Sequence, residues 1–235
     1  MPVRKSVIFL CTALALAGCE DLFSRKAPPR NFDELIPRLM GAIGNRAPED
    51  AAANLFNVTS PDERRDAIAY LETKPYGHNP PYMTAYELLA KEDPHPMVRA
   101  QAMRALGSSH QPEAVEYLVR GLNDADVQVR RDAATGLINT YGDAATQPLT
   151  LHAKADIDPT VRVSSVRALR NTAAPEAIRG LIDALDDRDV AVTYYARESL
   201  VAVTGQGIGP DPREWLTWYE HTYSPSTAPA TGPTR

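Results

Sequence analysis

The sequence predicts an all-α protein, an α-solenoid or superhelix of about five to six stacked helical hairpins. The main observation is a repeated pattern in which an Asp precedes a Val by five residues, while a small residue and a Leu follow that Val by four and eight. Four copies, spaced 31, 32 and 31 residues apart, read Asp93-Val98-Ala102-Leu106, Asp124-Val129-Ala133-Leu137, Asp156-Val161-Ser165-Leu169 and Asp187-Val192-Ala196-Leu200. These offsets place the side chains on one helical face, so that each repeat presents an apolar stripe for a stacked neighbour. The sequence contains no long stretch in which apolar and polar residues alternate and β-branched residues are frequent. Strands are therefore not predicted.

A second apolar set at the same period predicts a second helix in each repeat. It consists of Ala114, Ala145 and Ala177 with Leu118, Leu149 and Leu181. We expect these helices at about 112–123, 144–154 and 175–186. Helix starts are indicated by Pro96, Pro112, Pro159 and Pro175 and by nearby cap-type oxygens on Asp93, Asp124, Asp158 and Asp187.

Weaker copies at both ends extend the predicted solenoid to residues 32–222. Arg64 and Leu71 match Arg99 and Leu106 at an offset of 35, with a partner helix over 82–90. The segment from Pro212 to His221, which carries Trp215, Trp218 and Tyr219 along one side, predicts a closing helix over the last apolar face.

A Val-Arg pair follows the Asp in three copies, with the arginines at 99, 130 and 162. In these residues the chain resembles the HEAT-like repeats, above all the short type of phycobilisome-lyase-like proteins, over about residues 93–204. The resemblance implies a ladder of Asp–Arg pairs between neighbouring repeats. Thr193 replaces the Arg in the fourth copy, so the ladder is expected to end there.

The N-terminus predicts export and lipid attachment. Arg4 and Lys5 precede an apolar run from 7 to 17 that is too short to span a membrane. The following Leu-Ala-Gly-Cys resembles the bacterial lipobox, which implies a signal peptide at 1–18 and lipid on Cys19. An uncleaved anchor and an ordinary signal peptide are the alternatives. We expect a tether at 19–31, a Pro- and Thr-rich disordered tail at 223–235, and a chain lipid-anchored in the bacterial cell envelope, facing the periplasm or cell exterior.

From about residue 55 to 221 the chain also resembles bacterial lipoproteins with HEAT-like repeats. The residues that carry this likeness are the stretch 61–68, the loop after Pro75, the central repeats and the ending from Leu200 to Trp218. The resemblance implies an architecture and a compartment, and it adds no catalytic residue.

Composition and motifs predict no catalytic site, metal or cofactor. Without Arg4 and Lys5 the formal charge moves from −5 to −7, which disfavours nucleic acid as a partner. The five histidines, 78, 95, 110, 152 and 221, include no pair at i, i+4 and no His-Glu dipeptide. HEAT-repeat iron hydroxylases would require such His-Glu motifs.

Three surfaces are candidates for binding a protein or peptide. The first is formed by the second helices, through Glu116, Arg120, Arg179 and Asp183, with an ordinary solvated face as the alternative. The second is the aromatic loop with Tyr76, His78 and Tyr82, whose tyrosines could instead close the open end of the stack. The third is formed by Trp215, Trp218 and Tyr219, whose indoles could form a platform for a sugar or peptide, with capping of the stack as the alternative.

The functional expectation is a non-catalytic, lipid-anchored scaffold that mediates protein–protein interaction in the cell envelope. The alternative is a lyase- or chaperone-like protein that handles a chromophore or small ligand, as the phycobilisome-lyase relatives do. A deep apolar pocket favours the alternative, whereas a shallow polar groove favours the scaffold.

Overall fold

The computed structural model describes residues 49–223, and this part of the chain consists of α-helices joined by short turns. The helices are α1 Glu49–Asn54, α2 Pro61–Glu72, α3 Tyr82–Glu92, α4 Pro96–Ser108, α5 Ala114–Gly121, α6 Val127–Asn139, α7 Thr146–Ala155, α8 Pro159–Leu169, α9 Pro175–Asp183, α10 Val190–Thr204 and α11 Pro212–Tyr223. Short 3₁₀ turns, Asp143–Ala145 and Ala184–Asp186, precede α7 and follow α9. The predicted signal peptide, Cys19, the tether, residues 32–48 of the predicted solenoid and nearly all of the tail lie outside the described residues.

The helices form two layers, which confirms the predicted all-α solenoid. The first helices of the hairpins, α2, α4, α6, α8 and α10, pack side by side in chain order. The second layer follows the same order, with α5 and α7 linked through the 3₁₀ turn between them. Closing helix α11 packs on α9 and continues to Tyr223, two residues beyond the predicted end.

The repeat positions form one continuous core. The four repeat leucines, Leu106, Leu137, Leu169 and Leu200, have no exposed surface. Small residues are needed where the first helices approach each other: an ideal Cβ built on Gly107 of α4 would lie 2.3 Å from the Gly136 Cα of α6. The backbones of α4 and α6 are therefore in direct contact at this point.

The Asp–Arg ladder is present and joins each repeat to the next. Each arginine donates through Nε and Nη2 to both carboxylate oxygens of the following repeat's Asp, in the pairs Arg64–Asp93, Arg99–Asp124, Arg130–Asp156 and Arg162–Asp187. The Nη1 of Arg99 also donates to the Asp93 backbone carbonyl at 3.0 Å, so one guanidinium links two turns. Thr193, at the end of the series, donates to Val190 within its own helix.

The helix caps differ from the sequence prediction at three of the four carboxylates. Asp158 does cap α8 by accepting from the Thr160 backbone N–H at 2.8 Å. Asp93, Asp124 and Asp187 instead lie two residues before the cap position, where each accepts the N–H of the cap residue and the guanidinium of the ladder. Because these carboxylates bind Arg, later residues cap the helices: Asp126 and Asp189 cap α6 and α10.

Candidate functional site

The exposed ridge of α5 lies between two clefts of different chemistry. Glu116 and Arg120 are one turn apart on this ridge, and the Arg120 Nη2 donates to the Glu116 carboxylate at 3.2 Å. Glu116 lines the cleft toward α7, and Arg120 lines the cleft toward α3. Helix α5 therefore places a charged pair at the boundary between these clefts.

The cleft toward α7, called here the Tyr141 pocket, has a mostly apolar lining. It is an open depression of about 500 Å³, lined by Pro112, Val115, Glu116, Val119, Tyr141, Gly142, Asp143 and Ala144. The Tyr141 hydroxyl lies 2.5 Å from the Thr146 hydroxyl, which holds the aromatic ring at the pocket. A Cβ on Gly142 would lie 3.2 Å from both methyl groups of Val115, so glycine allows this close approach. The depression is shallow and open to solvent, so a ligand bound here would be covered on one side only.

The cleft between α3 and α5 is smaller, about 240 Å³, and more polar. Lys91, Arg120 and Asp124 contribute charges, and Tyr117 and Met103 contribute apolar surface. The Tyr117 hydroxyl is hydrogen-bonded to Glu87 of α3. Burial raises the pKa of Glu87 while this hydrogen bond opposes the rise, and burial together with the Glu87 charge raises the pKa of Tyr117.

The third cleft lies between the C-terminal ends of α7 and α9, is open to solvent with a volume of about 560 Å³, and is strongly polar. It is lined in part by Asp156 and Asp187, which the ladder arginines already bind. Of the other predicted pair, Arg179 donates to Asp183 at 3.0 Å within α9. Arg179 and Arg120 lie on second helices that are separated by α7 in the layer, so the structure does not bring them together.

The aromatic loop contributes more to the core than to the surface. Tyr82 and Tyr86 are buried, whereas Tyr76 and His78 are partly buried. The Tyr76 and Tyr82 ring centroids are 5.8 Å apart. Because its ring packs into the first hairpin, Tyr82 does not present the binding surface that the sequence analysis assigned to it.

The C-terminal aromatic residues close the stack. Trp215 is fully buried, and its indole N–H donates to the Gly209 carbonyl at 2.8 Å. Trp218 packs edge-on against Trp215 at 5.9 Å and stays partly exposed. The structure therefore places the first tryptophan in the core and leaves only the second near the surface.

No cluster of three or more His, Cys, Asp or Glu residues that could hold a metal occurs within residues 49–223. The histidines lie on separate elements, and His152 is near the Asp156 carboxylate at 3.1 Å. Within the same range, every helix is too short or too polar to cross a membrane.

Sequence reasoning missed the Tyr141 pocket. Val115 and Val119 are one turn apart on α5, which indicates an apolar stripe, but a stripe of this kind is usually core. The pocket arises because the 141–144 connection passes beside this stripe without covering it. Only the relative positions of α5 and this connection reveal the pocket.

The chain matches the family model of HEAT repeats over residues 49–139, 82–162 and 118–201, which together span more than half of its length. A search of the curated proteins finds no match. Among solved structures, it is similar to the complex of CpcE and CpcF of phycocyanin lyase from Nostoc sp. PCC7120, with 20% identity, a TM-score of 0.56, and coverage of 77% of this chain and 68% of that chain. It is also similar to an engineered protein, with 22% identity, a TM-score of 0.47, and coverage of 74% and 85%. Human deoxyhypusine hydroxylase in complex with glycerol has 17% identity, a TM-score of 0.32, and coverage of 91% and 98%.

The likeness to the lyase complex overturns the main functional prediction, a non-catalytic interaction scaffold. The finding is a fold shared with the CpcE and CpcF complex of phycocyanin lyase, at a TM-score of 0.56. At 20% identity the likeness itself establishes the shared fold. The recurring charged residues form no catalytic site, which is why the sequence favours a scaffold, whereas the apolar lining of the Tyr141 pocket comes mainly from residues outside the recurring pattern.

Proposed function

We propose that this chain, which belongs to the HEAT-repeat family, is a lyase- or chaperone-type protein that holds an apolar small ligand or chromophore and transfers it to a protein. The Tyr141 pocket carries the proposal, since it combines an apolar wall with carboxylates at Glu116 and Asp143. A few polar groups on an apolar wall are typical of sites that orient a small ligand. The fold shared with a phycocyanin lyase complex supports this class of function.

A protein partner is part of the proposal. The similar lyase is a complex of two proteins, CpcE and CpcF, which supports a second protein that works with this chain. The exposed Glu116–Arg120 pair beside the pocket offers polar contacts to such a partner. Crosslinking of this chain in native membranes, followed by mass spectrometry of the captured protein, would identify the partner.

The test of the ligand site is a titration of the purified chain with biliverdin, an open-chain tetrapyrrole, as the probe chromophore. We expect a saturable change in visible absorbance at one equivalent of probe. Ala144→Trp should weaken binding by about tenfold or more, equivalent to about 1.4 kcal/mol, because an indole at this exposed lining position fills the pocket.

The matched control is Ala173→Trp, which adds the same indole at an exposed residue between α8 and α9. If Ala144→Trp and Ala173→Trp bind biliverdin with equal affinity, the probe binds outside the Tyr141 pocket and the assignment of the site is wrong. Circular dichroism of both variants checks that the helices are intact.

We also propose that the chain is exported and anchored by lipid on Cys19 in the bacterial cell envelope. The basic residues, short apolar run and lipobox-like ending of residues 1–19 support this proposal. Cys19→Ser should move the chain from the membrane to the soluble fraction, while Cys11→Ser should leave fractionation unchanged. Membrane sedimentation of Cys19→Ser at the wild-type level would exclude this cysteine as the anchor.

A further inference from the structure

The charges that line the Tyr141 pocket have one sign. Among the described residues of its lining, the charged ones are Glu116 and Asp143, and both are carboxylates. Asp143, in the connection before α7, is exposed and pairs with no cation in the described part of the chain. A ligand that enters the depression therefore meets negative charge from α5 and from this connection.

Glu116 is neutralised by a cation that can leave it. The Arg120 Nη2 lies 3.2 Å from the Glu116 carboxylate, and these two side chains are 49% and 76% exposed. Exposed ion pairs of this kind contribute little, because water screens them. The Arg120 guanidinium also lies 6.0 Å from the centroid of the Tyr117 ring, which lines the cleft toward α3. A ligand cation can therefore replace Arg120 at Glu116 while Arg120 keeps its contact with Tyr117.

The rest of the lining is apolar and aromatic. Pro112, Val115 and Val119 contribute aliphatic surface, and Tyr141 contributes an aromatic ring whose hydroxyl lies 2.5 Å from the Thr146 hydroxyl. The face of an aromatic ring carries partial negative charge and attracts cations. Aromatic and aliphatic surface beside carboxylates thus suits an ammonium group that is attached to an apolar body.

We propose that the Tyr141 pocket selects a small ligand in which an apolar body carries a cationic nitrogen, such as a protonated amine, an amidinium or a quaternary ammonium. The apolar body would pack on Val115 and Val119, and the nitrogen would pair with the Glu116 and Asp143 carboxylates. Both carboxylates repel an anionic ligand of the same shape.

This inference rests on the proposed function, because it names the class of ligand that the same pocket takes. Biliverdin remains a probe of the apolar wall, since its propionate groups can lie in solvent through the open side of the pocket. A probe with its charge next to the apolar body is needed to test the sign.

The test compares three probes that share one naphthalene ring: 1-naphthylmethylammonium, 1-naphthylmethanol and 1-naphthoate. Each is titrated into the full chain, and affinity is read from the backbone amide resonances of Gly142 and Val119, which line the pocket. We expect the ammonium to bind about threefold or more tightly than the alcohol, and the carboxylate more weakly than both. High salt should reduce these differences, because it screens exposed charges.

Substitutions at the charged residues give effects of opposite sign. Arg120→Gln should tighten binding of the ammonium by about twofold or more, because Glu116 loses its competing cation. Glu116→Gln and Asp143→Asn should each weaken it by about the same factor. Glu176→Gln, at an exposed carboxylate of α9, is the matched control and should leave the affinity unchanged. The neutral alcohol should bind all four variants equally, and circular dichroism checks that each is folded.

The outcomes separate the charge preference from the proposed function. Binding of the carboxylate as tight as that of the ammonium, or weaker binding of the ammonium by Arg120→Gln, overturns the charge preference alone. If no probe moves the Gly142 and Val119 resonances, the inference fails, and the biliverdin titration decides whether the proposed function fails with it. N-acetyl-lysine amide should bind more weakly than the naphthyl ammonium. Equal affinity of these two would assign the site to a lysine of a protein partner and overturn the small-ligand class.

Discussion

The Arg130 guanidinium binds both carboxylate oxygens of Asp156 in the next repeat, at 2.9 Å from Nε to Oδ2 and 3.0 Å from Nη2 to Oδ1. Both side chains are largely buried, and the Nη1 of Arg130 also donates to the Asp124 carbonyl at 3.1 Å. The hydrogen bonds to Asp156 raise the pKa of Arg130. A single guanidinium therefore links the turn at Asp124 to the turn at Asp156 in the next repeat.

Arg130→Leu should lower the free energy of unfolding by about 3 kcal/mol, because it leaves the Asp156 carboxylate buried without its main partner. Urea denaturation measures the change. The adjacent Arg131→Leu is the control, since Arg131 is more exposed and lies 3.7 Å from Asp132. Its effect should stay below about 1 kcal/mol. Equal losses in the two variants would contradict a special role for the ladder.

The ladder also predicts a loss of stability in acid. Burial disfavours ionisation of Asp124, Asp156 and Asp187, but hydrogen bonds from arginine and backbone N–H groups outweigh burial and lower the pKa of each carboxylate. A lowered pKa stabilises the fold above the unfolded value of about 3.9, and this contribution is lost as pH falls through the folded value. The free energy of unfolding should therefore drop below about pH 4.

Asp156→Asn should make this acid-dependent drop shallower, since one of the titrating carboxylates is gone. Asp143→Asn, which changes an exposed carboxylate outside the ladder, is the control. Urea titrations at several pH values give the slope of stability against pH. Identical slopes for wild type and Asp156→Asn would show that the ladder is not the source of the acid sensitivity.

Gly107→Ala should destabilise the fold by about 1–3 kcal/mol, as overpacking does. The added Cβ would lie 2.3 Å from the Gly136 Cα, a backbone atom that can move only if α4 and α6 separate. Alanine's higher helix propensity offsets about 1 kcal/mol of this cost. Gly207→Ala, where a Cβ meets no atom within 4 Å, should have little effect. An unchanged midpoint of thermal unfolding for Gly107→Ala would mean that these helices separate easily.

Leu137→Ala should cost about 2–5 kcal/mol, because it removes a fully buried side chain at the centre of the stack. Leu151→Ala is the control on an exposed face of α7 and should change stability by less than about 0.5 kcal/mol. Urea denaturation of both variants provides the comparison. A loss below about 0.5 kcal/mol at Leu137 would contradict tight packing of the central repeats.

The sequence by itself determined the repeat register, the two helices of each repeat and the closing helix, because a helix brings together residues three or four apart whatever surrounds it. Leu106 and Leu137 are buried where this periodicity predicts, and Trp215 closes the stack. The ladder was expected from the resemblance, and Thr193 marks its end. Lipid on Cys19 stays a prediction from the sequence, since that residue lies outside the described part of the chain.

Only the tertiary structure decided which surfaces remain for function. Tyr82 is buried because the first hairpin folds over it, and Asp124 binds Arg99 instead of capping α6 because a neighbouring repeat supplies the guanidinium. The Tyr141 pocket depends on where a connection passes relative to α5. These features follow from distances between elements far apart in sequence, which local periodicity does not encode.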